Sequence, residues 1–426
     1  YWEHCNELIR DDQFRFDKQN YTSIFPKRRG DDLLCFELNK KTNNDYQLNT
    51  GYFIGLDWIK TNETALFVAP KLNSKHYNSD LPNEVYEIDF ISMFFSAIQH
   101  SDVSKELEEL IIVKWEEPNI EISQKQDLLT PFLVIEFLNV LKIIVRKGLK
   151  KNYYKVETNI NGRIKGKVMI SKTIKYNNFK NKSLFTYCKY EEFGLNNNEN
   201  KLLKKALTFV KKYLPVYCAL TDSDVLQNTF NYINPAFENI NEDIELPEIK
   251  QNKTNSLYRE YDTAIRLAKL ILKKFGYNIT NTVNTKITSP PFWIDMSKLF
   301  ELYTLGLLKD EFKNDIQYQF KDIGNELDFI LNTTEFKMVL DAKYKLKYLN
   351  GQYDEDVRQV SGYARLKSVY QYLDKKYPES IDCLIIHPDQ ENGVLNFKER
   401  NLNKNQIQNY NGIYKIGIKL PLRKKL

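Results

Sequence analysis

Asn325-Glu-Leu-Asp328-Phe-Ile-Leu331 followed by Met338-Val-Leu-Asp341-Ala-Lys343-Tyr-Lys345 is the stretch on which the reading of this chain turns. Both pieces have strand-like apolar content, and Asn332-Thr-Thr-Glu335 between them is a natural turn. A hairpin brings Asp328 beside Asp341. Side chains alternate along a strand, so Asp341 and Lys343 share a face while Ala342 points away and exposes its backbone carbonyl. The apolar Met338-Val-Leu implies a half-buried strand whose Asp and Lys emerge at a sheet end, in a cleft. Two carboxylates and a lysine are what a magnesium-dependent phosphodiesterase needs. The carboxylates hold a hard cation through oxygen. The cation activates a water and offsets charge on the scissile phosphate. The lysine positions or deprotonates that water and stabilises the phosphorane-like state. An Asp-x-Lys triplet alone also describes a solvated strand edge with a surface ion pair; the second aspartate favours a site, and the helix that follows, with Gln359 and Tyr363, settles the choice.

Outward from this stretch, Pro290-Pro291 opens a C-terminal region. Asp295 is placed to cap a helix whose apolar face is Met296, Leu299, Phe300, Tyr303 and Leu307. Glu301 on that helix is either a further carboxylate for the site or a solvated helix position. Strands are predicted over 316–320, 327–331 and 337–343, a helix over 354–373, and strands over 381–386 and 413–420. That order suggests a small mixed sheet flanked by helices. Gln359 and Tyr363 lie four apart on the helix and face one side, where an amide and a hydroxyl can orient a phosphate or a base.

Residues 1–127 read as a mixed, β-rich domain. Strand-like runs at 52–59 and 65–70 flank an Asn62-Glu63 turn, and helices are predicted over 90–98 and 103–113. The polar 116–125 serves as a linker. The middle domain, 128–285, has helices predicted over 128–145, 200–213 and 257–275, the last stopped by Gly276, with surface loops between 221 and 253. A hairpin pairing 153–159 with 166–170 around Asn161-Gly162 is expected within a basic finger at about 147–167. The third domain is 286–426.

Bulk properties narrow the class. At 426 residues with 42% apolar content the chain has room for two or three domains with buried cores. Net charge is +6, but residues 142–182 hold thirteen Lys and Arg against the one acid Glu157, leaving the remainder net acidic. Such a segment is either a phosphate- or acid-binding surface or a solvated lysine-rich loop region. The five cysteines include no C-x-x-C pair and the four histidines are scattered, which argues against a zinc ribbon, a disulfide framework or a histidine-built metal cluster. The longest apolar run, 132–145, is interrupted by Glu136, Asn139 and Lys142 and falls short of the ~20 apolar residues of a membrane span. No signal peptide is visible; Tyr1 in place of Met implies a processed or trimmed fragment, and a cytoplasmic protein is expected. The chain has no Gly-x4-Gly-Lys-Ser/Thr phosphate loop, so it is expected to bind no nucleotide and to power no translocation itself.

Asp328, Asp341-Ala-Lys343 and Gln359-x3-Tyr363 together resemble the PD-(D/E)xK nuclease superfamily in its branch with the Gln-x3-Tyr element. Leu327 stands where that motif is named for Pro. More narrowly the chain resembles the McrC family, nuclease subunits of McrBC-type modification-dependent restriction systems. The similar stretches are Phe292-Trp-Ile-Asp-Met-Ser-Lys-Leu-Phe-Glu301, Val339-Leu-Asp-Ala-Lys-Tyr-Lys345, Arg146-Lys-Gly-Leu-x3-Tyr153, Gly162-Arg-Ile-Lys-Gly-Lys-Val168 and Cys188-x-Tyr-Glu-Glu-Phe193, with Gly51-Tyr-Phe-Ile-Gly55 and Ala69-Pro-Lys71. The resemblance implies an α+β multidomain nuclease with a C-terminal PD-(D/E)xK-like domain. It implies Mg2+, with Mn2+ as a substitute, held by Asp328, Asp341 and the Ala342 carbonyl, and a catalytic set of Asp328, Asp341, Lys343, Gln359 and Tyr363. It further implies a hexameric McrB-like AAA+ GTPase partner that recognises modified double-stranded DNA. A finger from the N-terminal half of the chain would enter that ring and stimulate GTP hydrolysis, with Arg146, Lys147, Lys150, Lys151 and Arg163 as its candidate residues. Two other readings share the motif: a stand-alone RecB-like repair nuclease needing no GTPase, and a non-catalytic DNA-binding scaffold.

Overall fold

The computed structural model describes residues 1–10, 16, 18–26, 31–41, 45–70, 88–97, 110–123, 127–217, 223–244, 258–279, 287–322, 324–345, 353–399 and 405–422. The chain is a mixed α+β protein that divides into two compact units, Tyr1–Phe132 with Asn284–Leu426, and Leu133–Val283. The expected regions 1–127 and 286–426 thus lie in one unit.

In the first unit, strands β1 (Asn6–Arg10), β2 (Asn20–Phe25), β3 (Leu33–Lys40) and β4 (Asp45–Thr50) form an antiparallel sheet in the order β1-β4-β3-β2. Burial alternates along β2 and β4, so Tyr21, Phe25, Tyr46 and Leu48 enter the core while Asn20, Thr22 and Ile24 stay exposed. β5 (Phe53–Lys60) and β6 (Thr64–Val68) begin a second sheet, followed by α1 (Phe90–Ala97), β7 (Ile111–Val113) and β8 (Ile120–Ile122). Two expectations fail here. The described part of the predicted helix 103–113 is strand β7, whose β-branched Ile-Ile-Val suits a pleat, and residues 103–109 lie outside the described set. The supposed linker 116–125 contains β8, with Ile120 and Ile122 buried on one face.

The division between units falls inside α2 (Leu129–Lys147). In the second unit β9 (Asn152–Asn161), β10 (Lys167–Val168) and β11 (Phe185–Gly194) form a sheet in the order β10-β11-β9, with α3 (Ile170–Tyr176) between β10 and β11 in sequence. The expected hairpin is absent: both β9 and β10 pair antiparallel with β11 instead of with each other. Helices α4 (Asn198–Tyr217), α5 (Ser223–Phe237) and α6 (Arg259–Ile279) complete the unit, and α4 packs on α6. Much of the expected loop region 221–253 is α5, which buries Phe230, Ile233 and Phe237, and α6 runs through Gly276.

Returning to the first unit, β12 (Ile287–Ser289) pairs with β8, and β13 (Phe292–Asp295) inserts between β5 and β7. Gly55 permits this, because a Cβ there would meet the Phe292 carbonyl oxygen at 2.1 Å. A buried polar node fastens the insertion. Asp57, 1% exposed, accepts from Ser23 Oγ, from Trp293 Nε1 at 2.9 Å and from Lys114 Nζ at 2.7 Å. Asp295 caps α7 (Met296–Phe312) by accepting from the Lys298 N–H at 3.0 Å, as expected. Helix α7 is buried on most of its surface, not on one stripe; Leu302, Leu305 and Leu308 are buried beside the expected Met296, Leu299, Phe300 and Tyr303, while the expected Leu307 is half-buried.

The last sheet runs β14 (Ile316–Asp322), β15 (Asn325–Asn332), β16 (Lys337–Ala342), then, after α8 (Asp354–Tyr363) and α9 (Lys367–Tyr372), β17 (Asp382–Pro388) and β18 (Ile413–Ile418) in that spatial order. The first two pairings are antiparallel and the last two parallel. A parallel pair needs a crossover, which α8 and α9 supply between β16 and β17. The predicted single helix 354–373 is therefore two, with Leu366 extended at ψ 133° before α9.

Candidate active site

The β15–β16 hairpin forms as the sequence predicts. Phe329 pairs with Leu340 and Ile330 with Val339, and one further step of that register sets Asp328 opposite Asp341. Alternation puts Asp328, Ile330, Val339, Asp341 and Lys343 on one sheet face. Ile330 and Val339 enter the apolar core on that face, so the two acids begin where the core ends. Asp341 is 1% exposed and Asp328 is half-buried. Leu327, in the position that names the Pro of the motif, is fully buried in an interior strand, where a proline would remove a ladder donor.

Hydrogen bonds fix each member. Asp328 Oδ2 accepts from the Ala342 N–H at 2.8 Å. Lys343 Nζ stands 2.7 Å from Asp341 Oδ2, an ion pair that gives this buried carboxylate its counter-charge. Lys343 Nζ also donates to Gln359 Oε1 at 2.9 Å, and Gln359 Nε2 donates to the Tyr363 hydroxyl at 2.8 Å. The five residues singled out in the sequence thus form one connected cluster. Glu301 lies near it on α7, where its Oε1 accepts from the Tyr318 hydroxyl at 2.8 Å and from Lys298 Nζ at 3.1 Å.

Three contacts escaped the sequence reading. Lys345 Nζ pairs with Asp356 Oδ1 at 2.7 Å, and Asp356 is 4% exposed. The Tyr344 hydroxyl donates to Glu3 Oε1 at 2.9 Å, both side chains buried. Tyr318 and Lys298 hold Glu301. Only the first of these carried a signal: Lys345 lies two residues after Lys343, and Asp356 precedes Gln359 by about one helical turn.

The acids repel one another. Burial, then the charges of Glu301 and Asp341, push Asp328 well above the usual carboxylate range, against the pull of the Ala342 N–H and Lys343. Burial also raises Asp341; Lys343 is the largest influence opposing it, and Asp356 and Glu301 add to the rise. Burial disfavours the Lys343 ammonium, but Asp341, Asp328 and Asp356 outweigh it and hold its pKa above the ordinary lysine value.

Whether these groups suit a divalent cation can be tested on the donors. Among the described residues no group of three His, Cys, Asp or Glu side chains is arranged as an all-protein metal cage. Two carboxylates and the Ala342 carbonyl remain, one of the carboxylates, Asp341, buried at 1% exposure. Mg2+ takes one or two carboxylates, keeps waters and completes its shell with substrate phosphate, so this donor set fits it.

The basic residues expected in a finger behave differently from one another. Arg146 and Lys147 end α2, exposed, and Lys147 Nζ pairs with Glu260 at 2.5 Å. Lys150 lies just before β9, at the root of the arm formed by β9, β10, α3 and β11. Its Nζ pairs with Glu199 at 2.8 Å, its N–H donates to the Tyr261 hydroxyl, and its carbonyl accepts from Asn197 and Asn200. Lys151 is exposed, and Arg163 is exposed in the turn after β9. The arm itself is tied by ion pairs: Lys172 and Lys189 flank Glu157, pulling its carboxyl to about 2, and Lys165 pairs with Glu192.

The architecture and site define a mixed α+β protein with a partly buried two-carboxylate, one-lysine cluster at a sheet end. A family described as McrBC 5-methylcytosine restriction system component matches residues 49–374, and the chain belongs to that family. Two solved structures from Thermococcus gammatolerans are similar over most of their length. One is a half-complex of a tetradecameric assembly of McrB AAA+ hexamers with bound McrC; the match has 14% identity, covers 90% of this chain and 80% of that chain, and has a TM-score of 0.36. The other is the McrBC complex, with 14% identity, 74% and 78% coverage and a TM-score of 0.29. No curated protein matches the chain. Among the described residues no helix is long and apolar enough to cross a membrane.

Proposed function

We propose that the chain is the McrC-like nuclease subunit of a McrBC-type restriction complex, a Mg2+-dependent DNA endonuclease of PD-(D/E)xK type that docks on a hexameric McrB-like AAA+ GTPase. The observation that carries this reading is the meeting of Asp328, Asp341 and Lys343 at one sheet end, with Lys343 Nζ 2.7 Å from Asp341 Oδ2. Asp328, Asp341 and the Ala342 carbonyl would hold the cation. When bound, that ion supplies a polarised water and offsets charge on the scissile phosphate. Lys343 holds a proton at Nζ beside the attacked phosphate and stabilises the charge that develops there. Gln359 and Tyr363 aim the Lys343 ammonium by their hydrogen-bonded relay. The raised Asp328 and Asp341 are consistent with groups kept apart in charge until a cation neutralises them.

The arm of the second unit supports docking to a partner. It exposes Ile164, Ile170, Phe179 and Leu184 amid lysines, and α3 buries none of its residues. Of the candidate finger cations Lys151 and Arg163 are exposed and are proposed to reach a partner's nucleotide, whereas Lys150 pairs with Glu199. Modified double-stranded DNA, recognised by the GTPase, is the proposed substrate of the whole complex.

The test is cleavage of methylated DNA by the chain with its AAA+ partner, GTP and Mg2+. Asp341→Ala is expected to abolish cleavage while leaving complex assembly and GTP turnover intact. Undiminished cleavage by Asp341→Ala defeats the assignment, and robust cleavage by the chain without any GTPase favours a stand-alone nuclease.

A further inference from the structure

The arm joins the helices of the second unit through two short segments, 148–151 before β9 and 195–197 after β11. Among the described residues, every hydrogen bond, ion pair and ring contact made by residues 152–193 stays within the arm. Polar contact between arm and helices is therefore concentrated at the two roots. The first root contains Gly148 at φ +91°, with nothing within 4 Å of where a Cβ would stand, so that link is not itself packed.

Both roots are gripped by the starts of α4 and α6. Asn197 caps α4, its Oδ1 accepting from the Asn200 N–H at 3.1 Å. Its Nδ2 donates to the Lys150 carbonyl at 2.9 Å and to the Gly194 carbonyl at 3.4 Å. Asn200 Nδ2 donates to the carbonyls of Lys150 at 2.9 Å and Leu195 at 2.8 Å. Asn200 Oδ1 accepts from the Tyr261 hydroxyl at 2.8 Å, and that hydroxyl accepts from the Lys150 N–H at 2.8 Å. Asn200 is fully buried, Tyr261 is 1% exposed and Asn197 is 3% exposed. Away from water such groups hold their partners firmly, because each lost bond leaves a buried polar atom unsatisfied. One network thus ties the incoming root to the outgoing root and both to two helices.

We infer that Asn197, Asn200 and Tyr261 form a clamp that fixes the direction in which the arm leaves the helices, so that the arm meets its partner already oriented. The consequence for GTPase stimulation rests on the docking reading; the direction of the arm is measurable without any partner. An arm free to swing carries the same tip, but it loses orientational freedom on docking. Its apparent affinity falls by the fraction of time spent in the docking direction, and saturation restores full effect. Loss of the clamp therefore raises the concentration needed for half-maximal stimulation and leaves the plateau, whereas a tip substitution such as Arg163→Glu lowers the plateau. The Lys150 carbonyl has two amide donors, so both asparagines are changed together: Asn197→Ser keeps a capping oxygen too short to reach the roots, and Asn200→Ala removes the other amide. Tyr261→Phe, which keeps the ring and loses the hydroxyl, is the milder second variant.

Two measurements on the full chain test the clamp, in preparations that circular dichroism and melting show to be folded. Nitroxide labels at Lys182→Cys on the arm and Lys211→Cys on α4, both exposed positions, report the distance distribution between arm and helices, in a chain carrying Cys5→Ser and Cys218→Ser. The distribution is expected to broaden about twofold or more in Asn197→Ser/Asn200→Ala, with Tyr261→Phe in between. In titrations of the AAA+ partner with the chain, the double variant is expected to need about tenfold more chain for half-maximal GTP turnover at an unchanged plateau. Should the double variant fail to fold, Tyr261→Phe carries both comparisons. An unaltered distance distribution in a folded variant overturns the clamp, and so does a lowered plateau at an unaltered half-maximal concentration. If the unsubstituted chain stimulates no GTPase, the docking reading falls, while the distance distributions still decide whether the three residues direct the arm.

Discussion

Lys343→Met separates the electrostatic role of the lysine from its chemical one. The ammonium is the counter-charge of Asp341, 2.7 Å away, and Asp341 is 1% exposed. Removing one partner of a fully buried pair costs about 3–5 kcal/mol, because the other charge is left uncompensated. Lys343 keeps 18% of its side chain exposed, methionine retains much of the packing, and Asp341 can relieve itself by taking a proton. About 2–3 kcal/mol at pH 8 is therefore expected, or a fall in melting temperature of roughly 5–10 °C. The pH dependence has a definite sign. The folded pKa of Asp341 is already raised, and loss of Lys343, its main opposing influence, raises it further. A carboxyl with a raised folded pKa destabilises the fold at pH values above its unfolded pKa of about 3.9 and leaves it unaffected below, where it is protonated in both states. The variant and the parent should thus converge in acid and diverge as pH rises. Mg2+ stabilises both proteins, by about 2.7 kcal/mol at 100 times Kd, and should narrow the gap at pH 8 because in the variant it also takes over the counter-charge that Lys343 supplied. Cleavage would remain absent. Thermal unfolding of both proteins from pH 5 to 8, with and without MgCl2, makes the comparison. Equal stability at pH 8, or a deficit that grows towards acid, refutes the reasoning.

Other outcomes follow from the same contacts. Mg2+ affinity, measured by calorimetry, should rise from acid to neutral pH, because the raised Asp328 must lose its proton before it can ligate; a flat profile would remove Asp328 from the site. Arg163→Glu should weaken GTPase stimulation without changing the melting of the second unit, whereas Lys150→Met should loosen the arm root and increase hydrogen exchange through β9. The reverse pattern would return Lys150 to the contact surface. Trp293→Phe removes one donor from buried Asp57 and should cost about 1–3 kcal/mol by urea unfolding; no loss would show that Ser23 and Lys114 suffice.

What the sequence made legible was local. Asp328 and Asp341 could be paired because a polar turn of known residues separates two apolar runs, and Gln359 with Tyr363 because helical spacing is fixed. Partner choice at long range was not legible. Asn161-Gly162 does turn the chain, with Gly162 at φ +66°, yet β9 finds its partner in β11 beyond α3. Nothing local to Phe292–Asp295 announces that it will pair with β5, more than two hundred residues earlier; the buried bond from Trp293 to Asp57 does so only in three dimensions. The break between α8 and α9 was hidden because Val357, Val360, Val369 and Leu373 all reach one core, so the apolar period runs across the interruption. Lys147 and Lys150 enter as contact cations through the family resemblance together with the basic window, and neither reveals that Glu260 and Glu199 await them.

The most direct measurement is an anomalous difference map from crystals of the chain soaked in Mn2+, standing in for Mg2+. The account predicts one peak bridged by the Asp328 and Asp341 carboxylates, at about 2.0–2.3 Å from their oxygens, and its disappearance in Asp341→Ala. A peak elsewhere, or no peak at a concentration that supports cleavage, would contradict it.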